Sequence, residues 1–264
     1  MNIFIRELRA NRKALIIWSA CMFLLVLSGM AKYTAYSSGG QSAAVFNDMP
    51  YSIKALLGMG SFDLTTMSGY FAMLFLYIEL AVAIHAALIG AGIIAKEERD
   101  KTSEFLMIKP VSRKTVITSK LLAAFVNVAI VNIVTLAASV SMVSSYNKGN
   151  DITVEIILFM LSMFIVQLIF LSLGAASAAF MKKPKSAGSA AIGLLVMALI
   201  FAKITDLTDR LNFLNIFSPF KYFSYANIVN GKGLEVTIVI LSLLLVAVLS
   251  FSAYFFYPKR DLMV

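Results

Sequence analysis

Few side chains in this 264-residue chain have the type and spacing that chemistry requires. His85 is its single histidine and Cys21 its single cysteine. That excludes paired-imidazole mechanisms, His-x-x-x-His zinc hydrolysis and any internal disulfide. Glu79 is the one carboxylate in the same apolar run as His85. Six residues turn a helix through about 240°, so the two do not share a face and are not expected to pair. An intramembrane protease or lipid-modifying enzyme needs a nucleophile with a base, or two carboxylates, and neither arises. No Gly-x-x-x-x-Gly-Lys-Ser/Thr loop occurs, so nothing in these residues binds and splits ATP. Catalytic residues and metal ligands are therefore both expected to be none.

The elements that would position Glu79 and His85 follow from composition. Hydrophobic residues make up 60% of the chain and charged residues 14%, with mean hydropathy +0.86. An ordinary soluble domain carries charge on about a quarter of its residues, so this apolar surface needs lipid as its solvent. A hydrocarbon core needs about 20 apolar residues per helix. Six segments meet that length: Ala14 to Ala31, Tyr70 to Ala95, Val116 to Ser144, Thr153 to Phe180, Ala187 to Ile204, and Glu235 to Tyr257. The first, although preceded by Arg6, Arg9, Arg12 and Lys13, is read as a retained span and not a cleaved signal, because five comparable spans follow. Residues 1–13 suit a short interfacial helix, with Ile3, Phe4 and Leu8 near one face.

The net charge of +9 is distributed as a membrane protein uses it, in clusters between spans, and not as a nucleic-acid surface. With the amino terminus inside, sixteen Lys and Arg fall on the inner side or just within the third span, against seven on the other. The bias predicts a multi-pass protein of the cell (plasma) membrane with both termini cytoplasmic.

A carboxylate at the depth of Glu79 is costly unless it faces protein or water, so Glu79 and His85 are candidates for the translocation path, against structural hydrogen bonding or packing. Gln167, Asn127 and Asn132 are expected to hydrogen-bond between helices. Ala83, Ala87, Ala91 and Ala95, and likewise Gly174–Ala178 and Ala175–Ala179, recur every fourth residue and permit close helix approach, within a subunit or between two.

The segment from Lys96 to Lys114 is too patterned for a spacer. Thr102 can cap a short helix, Glu104 suits its first turn, Phe105-Leu106-Met107-Ile108 form an apolar patch, Pro110 stops it, and Ser112 can begin the next helix. Such a helix lies along the membrane with apolar side chains for a partner or for headgroups to cover.

Here the chain resembles the membrane subunits of ABC transporters of the second export (ABC-2) type. Glu97-Glu98, Thr102, Glu104-Phe105-Leu106, Pro110-Val111-Ser112-Arg113 and Lys120 stand in the order of that family's signature, with Lys101 where the family commonly has Gly. The likeness covers nearly the whole chain, and the bacitracin-resistance and sodium-efflux permease branches are the nearest relatives it suggests. It implies that residues 97–115 form a coupling segment docking on a separate ATPase, through Glu97, Glu98, Thr102, Glu104, Phe105, Leu106, Pro110 and Arg113.

The connection from Thr205 to Leu234 is too apolar for a free loop, yet Pro219 and Gly231 prevent one continuous span. A segment that dips into the outer leaflet and returns fits, as does an aromatic interfacial belt. Ser218-Pro219-Phe220 resembles the family's break near its outer gate.

The expected fold is all-α: a polytopic membrane protein with six transmembrane helices, an amino-terminal interfacial helix, a cytoplasmic coupling helix and an outer re-entrant segment. The expected function is the permease subunit of an ATP-driven exporter of a peptide, drug, lipid-like molecule or ion. Its implied partners are two cytoplasmic ATPase subunits and a second permease subunit, most simply an identical one, in a lipid bilayer and with no nucleic acid. No cofactor is bound by this chain; ATP and Mg belong to the ATPase. The alternative from another class is a stand-alone channel or ion-gradient-driven carrier.

Overall fold

The computed structural model describes residues 3–37, 49–59, 62–99, 112–147, 149, 151–181 and 186–259. Among these there are helices and turns but no strand. The long apolar runs form helices α1 (Ile3–Ala31), α4 (Met67–Arg99), α5 (Arg113–Tyr146), α6 (Thr153–Phe180), α7 (Ala187–Leu207) and α9 (Val236–Phe256). The intervening α2 (Tyr33–Ser37), α3 (Tyr51–Leu56) and α8 (Tyr225–Val229) are short. Six helices, the first counted through Ser37, are long and apolar enough to cross a membrane. At about 1.5 Å per residue even the 21-residue α7 and α9 match a hydrocarbon core.

Local signals set several boundaries. Ser112 caps α5, its hydroxyl accepting the Thr115 N–H at 3.1 Å, as expected of it. Asp151 accepts the Thr153 N–H at 3.0 Å where α6 begins. The amino-terminal segment is continuous with the first span: Ile3–Ala31 is one helix, with no break between Lys13 and Ala14.

Helices α4 and α6 form the centre of the bundle and are its most extensively paired elements. They run parallel, since Phe71 and Phe75 meet Phe159 toward their starts while Gly174 lies against Ala87 toward their ends. A Cβ on Gly90 would strike the Leu171 carbonyl, and one on Gly174 the Ala87 carbonyl, so the absence of a side chain is what permits this approach. The small-residue stripes therefore pack within one chain.

Around this pair, α1 lies against α5 and α9 against α6. Asn132 crosses from α5 to α6, donating to Gln167 Oε1 at 3.0 Å and the Met160 carbonyl at 3.2 Å. Asn127 departs from expectation: its amide donates to Ala123 O of its own helix at 2.7 Å. Peripheral α9 buries only Ser242 and Ala253, leaving Ile240, Leu244, Val248, Phe251 and Phe255 facing outward. An outer helix apolar on its exposed face is the signature of a lipid-facing or subunit-facing span.

Candidate functional site

The most concentrated chemistry lies at one end of the bundle, where α1 begins, α4 ends and α5 begins. Glu97, in the last turn of α4, is the hub. Its Oε1 accepts from Arg6 Nη2 of α1 at 3.1 Å, and its Oε2 from Lys120 Nζ of α5. Lys120, whose side chain is wholly buried, also donates to the Ile93 carbonyl. Glu7 of α1, equally buried, accepts from Arg6 at 2.9 Å and from Lys96 of α4 at 3.3 Å. Three cations and two carboxylates thus tie three helices together.

Buried charges are tolerated only in company, and deleting one partner of such a pair costs about 3–5 kcal/mol. The network therefore fixes the relative positions of three helix ends. Arg113, the first residue of α5, donates to the Pro258 carbonyl at 2.8 Å and brings the end of α9 to the same place. Phe180 of α6 packs against Phe256 with the rings tilted and 4.1 Å between centroids. The described residues flanking the basic segments thus gather at one end of the bundle.

Of the expected coupling residues, Glu97 and Glu98 are buried at the end of α4 and Arg113 opens α5. Thr102, Glu104, Phe105, Leu106 and Pro110 lie outside the described residues. The network stands at the base of that segment, on both of the helices that bound it.

The two intramembrane candidates are separate, as their spacing demanded. Glu79 is buried near the middle of α4 and accepts the Tyr225 hydroxyl, from α8. Phe75 and Phe159 box the tyrosine ring, with centroids at 5.2 and 5.8 Å. His85 is buried against Trp18 of α1, ring centroids 5.1 Å apart.

Beyond α7 the chain folds into 3-10 turns at Asp209–Phe217 and Pro219–Lys221, then α8. Ser218, Pro219 and Phe220 are all buried, with Phe220 5.2 Å from Phe170 of α6. Lys203 donates to Asp206 and to Ala55 O, both at 3.2 Å, and Lys221 also pairs with Asp206. Lys221 thereby ties this segment to α7, which Lys203 ties to α3, and Lys203, Asp206, Lys221 and Tyr225 line a cavity of about 380 Å³.

A family model described as "ABC-2 family transporter protein" matches residues 1–262. The chain belongs to the ABC-2 transporter family. No curated protein matches it significantly. This ABC-2 permease is accordingly the membrane component of an ABC transporter, a multi-pass protein with six candidate spans. Such permeases lack ATPase activity themselves and work with ABC ATPase subunits.

Sequence reading found the permease's Glu97, Glu98, Arg113 and Lys120 but treated Arg6, Glu7 and Lys96 only as flanking charge. A signal was available for Glu7: it is the one acidic residue among Arg6, Arg9, Arg12 and Lys13. Lys120 inside an apolar run likewise demanded a carboxylate. Tyr225 and Trp18 carried no such mark, because aromatic residues are abundant throughout membrane spans and their interfaces.

Proposed function

We propose that this permease is half of the membrane-spanning part of an ATP-driven exporter, with both termini and residues 97–115 on the cytoplasmic side. A pair of ATPase subunits closes on ATP and pushes the segment bearing Thr102, Glu104, Phe105, Leu106 and Pro110. Work enters the bundle through α4 and α5, the helices on either side of it. The observation that carries the reading is the Glu97 hub: held by Arg6 of α1 and Lys120 of α5, it makes the base of the pushed segment stiff. A flexible base would dissipate the displacement, whereas buried ion pairs confine helices to discrete arrangements.

Within this cycle Glu79 and His85 line or border the path, and Ser218-Pro219-Phe220 forms part of an outer closure that is packed shut on α6. The partner permease is a second copy of this chain, covering part of the apolar surface that α9 and α1 leave outward. The substrate is a peptide, drug, lipid-like molecule or ion, the range that the resemblance to both the bacitracin-resistance and sodium-efflux branches implies.

Copurification tests docking. Replacing Phe105 and Leu106 together by Ser is expected to abolish recovery of the ATPase with the permease, and undiminished recovery overturns the docking role. Glu97→Gln is expected to keep the ATPase bound while uncoupling hydrolysis from flux. Substrate flux in proteoliposomes without any ATPase would instead establish the stand-alone carrier.

A further inference from the structure

Helix α1 divides its charge between two faces. Glu7, its one carboxylate, is buried and engaged by Arg6 and Lys96. At about 100° per residue, Arg9, Arg12 and Lys13 lie roughly 120–160° round the helix from Glu7. All three are exposed. None of them forms a side-chain ion pair with any described residue.

The cationic face runs on into an apolar one. Ile16 and Ile17 are 66% and 61% exposed, and Phe23 and Leu24 continue the strip two turns later. All four fall within about 80° of Arg9 by helical rotation. The opposite side of α1 packs on α5 and α4, so this strip faces away from the bundle. From Arg9 to Lys13 the helix rises about 6 Å, close to the thickness of one headgroup layer, roughly 5–8 Å. Ile16 begins about one turn deeper, where acyl chains begin.

Three exposed cations at headgroup level, followed along one face by apolar side chains, match a molecule with an acidic head and a hydrocarbon tail. A zwitterionic lipid brings its own ammonium and gains less from them. A water-soluble acidic protein could meet the charges but would leave the adjoining apolar strip to lipid. We propose that this face of α1 binds anionic phospholipid in the leaflet on the Glu97 side, with the phosphate at Arg9, Arg12 and Lys13 and the acyl chains along Ile16, Ile17 and Phe23. The lipid then holds from outside the helix whose inner face joins the buried network through Glu7. The inference goes beyond the exporter reading and needs only a bundle embedded in a bilayer.

The full-length permease, delipidated in a non-ionic detergent, is titrated with phosphatidylglycerol and with phosphatidylcholine of the same acyl chains, and bound lipid is counted by native mass spectrometry. Phosphatidylglycerol is expected to bind the more tightly. Arg9→Gln, Arg12→Gln and Lys13→Gln, all at exposed positions that leave the packing intact, should each lower that preference about fivefold, the usual worth of one cation near an anionic surface. Arg12→Lys should retain it. Lys114→Gln removes an exposed cation of α5 at the same end of the bundle and should leave the preference unchanged. Equal affinity for the two lipids, a preference that survives replacement of Arg9, Arg12 and Lys13 together, or an equal loss in Lys114→Gln overturns the proposal. No ATPase takes part, so failure here leaves the docking experiment standing.

Discussion

The Tyr225 hydroxyl donates to the Glu79 carboxylate across 146 positions of sequence, joining the middle of α4 to the short helix that follows the 3-10 turns. Phe75 and Phe159 surround the contact and keep water from replacing it. Tyr225→Phe removes the donor and should cost about 1–3 kcal/mol, the penalty for a buried acceptor left unmatched. Glu79→Gln keeps an acceptor and should cost less than Glu79→Leu. The midpoint of SDS-induced unfolding in mixed micelles gives the ranking, and an unchanged midpoint in Tyr225→Phe would remove this bond from the forces holding residues 209–229.

The Lys120–Glu97 pair makes a sharper demand. Lys120→Met places a side chain of similar length in the same wholly buried position and takes the donor from Glu97 Oε2 while Arg6 still serves Oε1, so the loss should reach at most about 3–5 kcal/mol. Adding Glu97→Gln should recover part of that loss, with a coupling of about 1 kcal/mol or more in a double-mutant cycle. Additive losses would mean that the two side chains do not act together.

Close contact between α4 and α6 depends on two missing side chains. Gly90→Val and Gly174→Val each drive carbon into a backbone carbonyl of the other helix, and should destabilise by about 1–3 kcal/mol or more. Gly193→Val is the control, since nothing lies within 4 Å of a Cβ there. Equal stability of all three variants would contradict this packing.

Ahead of α4, outside the spans, the Asp63 carboxylate accepts from the Thr65 hydroxyl at 2.6 Å and the Thr65 N–H at 2.9 Å. Those bonds hold its pKa below the usual carboxylate value, the hydroxyl contributing most. A depressed folded-state pKa stabilises above the unfolded value, and the contribution disappears as pH falls through the folded one. Amide exchange at Thr65 and Thr66, corrected for intrinsic rates, should therefore rise under acid. Asp63→Asn should flatten that dependence, and identical acid profiles for both proteins would refute the assignment.

Much of this architecture is legible one residue at a time. An apolar run of about 20 residues has no favourable alternative to a helix in lipid, because each unpaired backbone group there costs several kcal/mol. That constraint is local, which is why the spans from Tyr70, Val116, Thr153, Ala187 and Glu235 emerge within a few residues of their helices. Ser112 as a cap and Pro219 as a break are equally local, resting on one hydroxyl and one missing N–H. The family signature around Glu97-Glu98 and Pro110 to Arg113 likewise reads along the chain.

What the chain alone determined, then, is the number of candidate spans and their class, since each depends on residues near one another in sequence. Tertiary structure alone decided the partners: Glu7 with Lys96, Tyr225 with Glu79, Trp18 with His85, and Asn127 with its own helix instead of a neighbour. Pairing across 67 to 146 positions depends on how each long helix is rotated about its axis. In lipid, where every face of a span is apolar, that rotation is set by which small residues and buried charges meet, and only the assembled bundle expresses it.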